Sequence, residues 1–412
     1  MNNKLLLTSA LVVGSLLANA QQNKLTYAIT GDGNNDYIWM NIRQVDLGTG
    51  QVTKTIFERS QSHFSLTDVN TKRVATQNSF TTENIYNAAD YPTGTFVAAA
   101  AFDKRSNKLF FTPMRRGELR WMNLGAEEPT FYSMPIANYK SVDANDEATN
   151  ITRMVIGADG NGYALSNDAN HLFTFTTSKK PVIKEIGNII DATDNKGVSI
   201  HNKCSSWGGD MIADAFGKLY IISASHSVFM IDPVTRISTY MGTIQGLPAT
   251  YTTNAAAVND DGNVVLASAN MFDGYYVMKM SDLKAVKMEG SDVKYNASDF
   301  ANANLLYQKE ANSLLNSKVT PVATTPVDAK VFPNPVTNYA FNILFDNRPE
   351  GKYTIVVSDL AGRSMMSKVV SIAGGMQTVP VKMNSSSAKG VYIVSVLDAN
   401  QTVVINEKVV VQ

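Results

Sequence analysis

Four segments of the chain align on one pattern, and that repeat limits the fold more than any other feature. They are AAFDKRSNKLFFTP from Ala100, MVIGADGNGYALSN from Met154, MIADAFGKLYIISA from Met211 and AAVNDDGNVVLASA from Ala256. Each runs from a small or apolar strand, through a polar turn, to a second apolar strand. The turn positions Asn107, Gly160, Gly217 and Gly262 are spaced by 53, 57 and 45 residues. Three copies continue into a third strand and a turn: His171 to Phe175 before Thr176, Ser227 to Ile231 before Asp232-Pro233-Val234-Thr235, and Tyr275 to Met280 before Ser281-Asp282-Leu283-Lys284. The same turn chemistry follows Val45, at Asp46-Leu47-Gly48-Thr49-Gly50.

A four-stranded unit of roughly 40–50 residues is the blade of a β-propeller. One small twisted sheet buries too little apolar area to be stable, whereas stacked blades bury both faces and leave only short edges. The expected fold is therefore all-β, with a propeller over residues 21–308. Partial copies at Leu25 to Ile56 and Ser298 to Tyr307 suit a blade completed by both chain ends. Counting copies gives about six blades, with seven as the alternative. Ser60 to Thr95 fits the repeat poorly and reads as a degraded blade or an insertion. An irregular array of β-sandwiches is the competing architecture.

Residues 1–20 read as a cleavable signal peptide rather than as part of the fold. Lys4 precedes an apolar run from Leu5 to Leu17, and Ala18 and Ala20 put small side chains at the −3 and −1 positions before Gln21. The run is too short to span a bilayer core as a helix. A lipoprotein would need a cysteine where Gln21 stands. The mature chain has no other apolar stretch long enough to span a membrane. The lone cysteine, Cys204, excludes an internal disulfide and is expected to be buried in a strand-like stretch. The chain has 36 basic and 36 acidic residues with no charged block, which argues against nucleic acid or anionic membrane surfaces as partners.

Residues 309–329, rich in Ser, Thr, Ala, Asn and Pro, read as a linker whose first residues suit a short helix. Residues 330–412 then carry strand signals at Tyr339–Phe345, Tyr353–Ser358, Ser364–Val370, Gln377–Lys382, Val391–Leu397 and Val403–Val411. So many short strands in a small segment predict an Ig-like antiparallel β-sandwich. Its ordered motifs are Pro333-Asn334-Pro335, then Gly351-Lys352-Tyr353, then Asp359-Leu360-Ala361-Gly362-Arg363, then Gly390-Val391-Tyr392, and Lys408 before the final valines. In that order this segment resembles the type A C-terminal sorting domain of type IX secretion cargo in Bacteroidetes. The resemblance implies recognition by an outer-membrane translocon, removal by a cell-surface sortase, and either release or attachment to lipopolysaccharide. The repeats resemble the loosely related propellers of exported Bacteroidetes proteins; neither the WD dipeptide nor the kelch double glycine recurs. The expected location is the outer-membrane cell surface or the medium, reached through the periplasm.

No catalytic constellation is legible. The histidines His63, His171, His201 and His226 sit in no protease or zinc motif, and neither a G-x-S-x-G elbow nor a phosphate-binding glycine loop is present. No cofactor is expected, calcium being the one candidate. Asp32, Asn34 and Asp36 have the alternate spacing of a calcium loop, but Arg43 stands where a bidentate Glu belongs, so a hairpin turn is the preferred reading. Asp143, Asn145 and Glu147 form a second acidic loop, read as solvated. The stretch His201 to Asp214 suits a channel mouth. There Trp207 and Asp210, with Asp103 and Asn254 from neighbouring copies, would stack on and hydrogen-bond a ligand such as a sugar. The reading is a secreted or surface-displayed binding protein for an unidentified glycan, peptide or protein. A propeller hydrolase or lyase acting at the channel mouth, and a structural surface-layer component, are the alternatives.

Overall fold

In a computed structural model of the full chain, the described residues are 25–33, 36–60, 63–76, 88–139, 146–290, 295–316, 331–359, 364–384, 387–399 and 402–412. Ala18, Ala20, Asn34, Asp143, Asn145, Gly362 and Arg363 lie outside them. The chain divides into two compact units, Met1–Lys309 and Glu310–Gln412.

In the first unit the strands run β1 to β3 (Thr26–Thr30, Asn41–Val45, Val52–Phe57), then β4 to β9 (Ser65–Asp68, Val74–Thr76, Val97–Asp103, Lys108–Pro113, Glu118–Asn123, Thr130–Pro135). Next come β10 to β13 (Ile151–Ile156, Gly162–Ser166, Leu172–Phe175, Ile183–Gly187) and β14 to β18 (Ile190–Asp191, Asp210–Ala213, Leu219–Ile222, Ser227–Ile231, Ile237–Thr243). The series ends with β19 to β22 (Ala255–Val258, Val264–Ala267, Tyr276–Lys279, Lys284–Lys287) and β23 (Ala297–Asn302). The helix α1 (Lys203–Ser206) precedes β15, and α2 (Gln308–Asn316) follows β23, where the start of the linker predicted a helix.

These strands form five blades, not six or seven. The inner strands are β23, β6, β10, β15 and β19, and each neighbours the next in a closed ring. As expected, both chain ends complete a single blade, β23 pairing antiparallel with β1 in the order β23-β1-β2-β3. The overcount comes from the stretch after Ser60, which among the described residues builds no blade of its own: β4 adds parallel to β9 at the outer edge of the second blade, with β5 beyond it.

Hydrophobic burial closes the ring. One buried cluster joins Tyr27, Ile42 and Phe57 of the first blade to Phe102, Phe111 and Phe131 of the second. Others join Phe110 and Trp121 to Phe173, Leu165 to Ile221, and Ile222 to Leu266. The last joins Val265 and Tyr275 to Val45 and Phe300, so the fifth blade packs on the first. Burying one such large side chain contributes about 1.5–3 kcal/mol, and only the closed ring buries both faces of every blade. The outer turns read from the sequence are Asx turns. Asp46 accepts from the amides of Gly48 and Thr49, and Asp232 from those of Val234 and Thr235.

The second unit is a β-sandwich of β24 to β30 (Val331–Thr337, Ala340–Arg348, Gly351–Asp359, Ser364–Ile372, Gly375–Lys382, Gly390–Leu397, Val403–Val411). β24 serves both layers, pairing antiparallel with β25 and parallel with β30. Alternate residues such as Tyr353, Ile355 and Val357 turn inward to a single core with Tyr392, Val394 and Val396.

Two motifs acquire physical meaning here. Prolines have no amide to donate to a ladder, and in Pro333-Asn334-Pro335 the Asn334 side chain takes over that task. Its Nδ2 donates to Lys408 O at 2.8 Å and its Oδ1 accepts from Val410 N at 3.0 Å. In Gly351-Lys352-Tyr353 and Gly390-Val391-Tyr392, each tyrosine hydroxyl donates to the carbonyl four residues upstream, Pro349 at 3.0 Å and Ala388 at 2.5 Å. Both are tyrosine corners that fix the start of a core strand. We expect Asn334→Ala to destabilise the sandwich by about 1–3 kcal/mol, because two hydrogen bonds at a proline-blocked edge are lost together. Thermal unfolding of the chain checks this, since only the transition of the second unit should move.

Candidate functional site

The inner strands set the geometry of the channel. The four aligned segments start at equivalent positions, and Phe300 is the fifth, since Ala100, Met154, Met211, Ala256 and Phe300 all line one small central space. That space is about 10 Å³, on the order of a single water. One residue earlier on each strand stands a second ring: Ala99, Arg153, Asp210, Ala255 and Asp299. All five are at most 1% exposed, so this ring closes the channel.

Asp210 is held by backbone amides from three strands. Its Oδ1 accepts from Met211 N at 2.7 Å, and its Oδ2 accepts from Ala256 N at 2.7 Å and Phe300 N at 3.1 Å. Burial pushes its carboxyl up to about 7, against the pull of those donors. Asp299 interacts with Asp210 and is the less supported of the two. No donor among the described residues reaches either of its oxygens in hydrogen-bond geometry. Burial, and then the Asp210 charge, hold its carboxyl well above the ordinary range, with only the Ala100 amide opposing.

Arg153 occupies the next ring position and turns outward to the loops. Its Nε donates to Gly208 O at 3.1 Å, Nη1 to Ser166 O at 3.2 Å and Asn167 O at 3.3 Å, and Nη2 to Gly208 O at 3.0 Å and to Ser206 O. Burial lowers its guanidinium to about 10, while Asp168 and Asp210 pull the other way. Two further buried arginines do similar work. Arg120 donates to the carbonyls of Ala89, Tyr91 and Pro92, and Arg43 to Gly31 O and Thr30 Oγ1. A guanidinium suits this role because its fork carries five N–H groups.

The loops at the Asp210 end interlock. Ser223 Oγ donates to Ser205 O at 2.8 Å, Ser225 Oγ to Cys204 O at 2.9 Å, and Thr253 N to Ala224 O at 3.2 Å. Trp207 is half-buried in this layer. Its Nε1 donates to His201 O at 3.0 Å, and Lys203 Nζ lies 5.1 Å from its ring centre. Asn254 accepts from Ala269 N at 3.1 Å. Cys204 lies in α1 and is exposed, contrary to the expected buried strand position. The stretch leaves the ladder because Asn202 caps a short helix, accepting from Cys204 N and Ser205 N.

The structure therefore brings Trp207, Asp210 and Asn254 to one end but seals Asp210 beneath the loops. Asp103 does not join them. It ends β6, four positions beyond Ala99, or roughly 13 Å along the strand. There it caps the hairpin, accepting from Arg105 N at 3.2 Å and Ser106 Oγ at 2.7 Å. Asp214 and Asn259 cap the equivalent turns. At the candidate calcium loop, Arg59 bridges Asp32 at 2.5 Å and Asp36 at 3.1 Å, supplying positive charge from within the fold. The sequence reading missed Tyr37, 47% exposed, which packs edge-on to Phe272 at 6.2 Å on two loops of the Asp210 end. Their only sequence signal is an aromatic residue in a polar loop.

Residues 330–412 match the family model described as the secretion system C-terminal sorting domain. That segment marks the chain as type IX secretion cargo and indicates the cell surface or the extracellular space, by way of the periplasm, as its destination; the other unit is a propeller. No curated protein matches the chain. Among solved structures, PorZ, an essential surface component of the type IX secretion system of Porphyromonas gingivalis, is 13% identical, with 94% of this chain and 51% of that one covered and a TM-score of 0.33. The chain thus spans about half the length of PorZ. A streptogramin B lyase is 12% identical over 66% of this chain and 86% of that one, with a TM-score of 0.36. Virginiamycin B lyase from Staphylococcus aureus is 11% identical over 77% and 84%, with a TM-score of 0.30. No helix among the described residues is long and apolar enough to cross a membrane.

Proposed function

We propose that the exported chain is a binding protein that takes a glycan, peptide or protein ligand on the loops at the Asp210 end of the propeller. The observation that carries this reading is the closed ring of Ala99, Arg153, Asp210, Ala255 and Asp299. The ring bars the channel from this end, so a ligand arriving here meets the protein at the rim. The rim suits recognition: its loops are tied by hydrogen bonds, so little ordering entropy is lost on binding. Its aromatic groups include Trp207 and the Tyr37–Phe272 pair. A rigid aromatic face beside amide and charged groups binds sugar rings or peptide side chains.

The sorting domain engages the translocon during export and is then removed by the surface sortase. The trimmed propeller is the working form at the surface or in the medium.

The test is a screen of the full chain against immobilised glycans and extracellular proteins, repeated with Tyr37→Ala and Trp207→Ala. Retention without turnover, weakened tenfold or more by either substitution, supports the reading. Turnover of a captured ligand would favour the hydrolase or lyase alternative, and self-association as the sole interaction would favour the surface-layer role.

A further inference from the structure

We propose that Asp210 and Asp299 hold one proton between them inside the closed channel, and that this proton makes the propeller less stable as pH rises. Three observations lead there. Both carboxyls are fully buried, 0% exposed, at equivalent positions on inner strands of different blades. Asp210 accepts three backbone amides and is therefore built as the anion, whereas Asp299 meets no donor in hydrogen-bond geometry at either oxygen. A carboxyl whose nearby amide, that of Ala100, falls short of hydrogen-bond geometry, and which lies beside a carboxylate, is satisfied by becoming the donor itself. Charge supports this. One proton leaves the pair with a single negative charge, which sits on the carboxyl that has three amide donors and the Arg153 guanidinium within its field, and two bare carboxylates side by side are what a dry interior does not tolerate.

The surroundings leave few other contributors. The ring positions of β6 and β19 are Ala99 and Ala255, which do not titrate, and β10 presents Arg153. Behind Arg153 stands Asp168, occupied by Ser166 Oγ at 2.5 Å and by Asn170.

The sign follows from linkage. Both carboxyls are raised in the folded chain, so the folded state holds a proton that the unfolded chain releases above about pH 4. The stabilisation is fully present below that pH. It is lost progressively as pH rises towards and through the folded values. At pH 6 unfolding should release a proton from this pair.

The experiment is urea unfolding of the full chain from pH 5 to pH 9, followed by tryptophan fluorescence. Trp39, Trp121 and Trp207 all lie in the propeller, so this signal excludes the sandwich. We expect the folding equilibrium constant to fall roughly a hundredfold or more across the range. We expect Asp299→Asn, whose amide supplies a permanent donor to Asp210, to flatten that slope. A flat or rising wild-type profile overturns the proposal, as does an unchanged slope in Asp299→Asn. If that variant does not fold, the wild type still decides. Calorimetry in buffers of different ionisation heat should show proton release on unfolding at pH 6, and no release contradicts the proposal. A midpoint that follows exchange of sodium for potassium instead of pH would also contradict it, since a bound cation would then hold the proton's place.

Discussion

Arg153→Met lowers the stability of the propeller by about 3–5 kcal/mol, the expected cost of removing one member of a buried charged set. Methionine fills much of the volume, so lost packing is the smaller part of the effect. The larger part is what remains behind. The carbonyls of Asn167, Ser206 and Gly208 lose their side-chain donor, while Ser166 O keeps the Ala169 amide, and each unsatisfied buried group costs about 1–3 kcal/mol where water cannot reach it. Asp168 and Asp210 also lose their positive neighbour. Arg153→Lys keeps the charge but has no fork to span the two loops, so it should fall between wild type and Arg153→Met. Urea titration read by tryptophan fluorescence measures both. A loss within 0.5 kcal/mol, the range of ordinary surface substitutions, would show that the buried guanidinium does not hold the loops.

Gly209→Ala is the second large effect, at about 2–5 kcal/mol. Gly209 has φ +84°, and an added Cβ would lie 1.9 Å from Ile222 O and 2.7 Å from the Ser223 backbone. Those atoms belong to the strand paired with β15, so relief requires separating the strands beside Asp210. Gly217→Ala is the control. Its φ is nearly the same, +86°, but nothing lies within 4 Å of the added Cβ. It should cost only the left-handed penalty, about 1–2 kcal/mol. Equal losses in the two variants would mean that conformation, not close approach, governs Gly209.

The repeat was legible because burial dictates it: each hairpin must present apolar residues to two neighbouring blades, and Met154, Met211 and Ala256 mark the same place in each. The ring that closes the channel lies one residue upstream. Ala99, Arg153, Asp210, Ala255 and Asp299 share a position but no chemistry, so no pattern of residue type reveals it. Arg153 gives no signal for a further reason: its partners are backbone carbonyls 13 to 55 residues away, and any sequence supplies carbonyls. The shared first blade was legible from the partial copies at the two chain ends, but the blade count failed where topology departs from chain order, at the parallel addition of β4 to β9. In the sandwich, by contrast, the sorting motifs coincide with structural devices. Asn334 replaces two ladder bonds, and Tyr353 and Tyr392 tie down two strand starts, so motif and fold are read from the same residues. Asp103 and Asp210 belong to neighbouring copies of the hairpin, but Asp103 ends its inner strand and Asp210 begins its own, so they stand at opposite ends of the channel.

The central claim is that this is a propeller exported by virtue of its C-terminal domain. The most direct measurement is fractionation and intact mass of the protein in its native host, with and without residues 330–412. The account predicts the full chain at the surface or in the medium, trimmed near residues 309–329, and the shortened chain retained in the periplasm with its propeller folded. Equal export of both forms would contradict it, and would make the sandwich an accessory domain with no part in sorting.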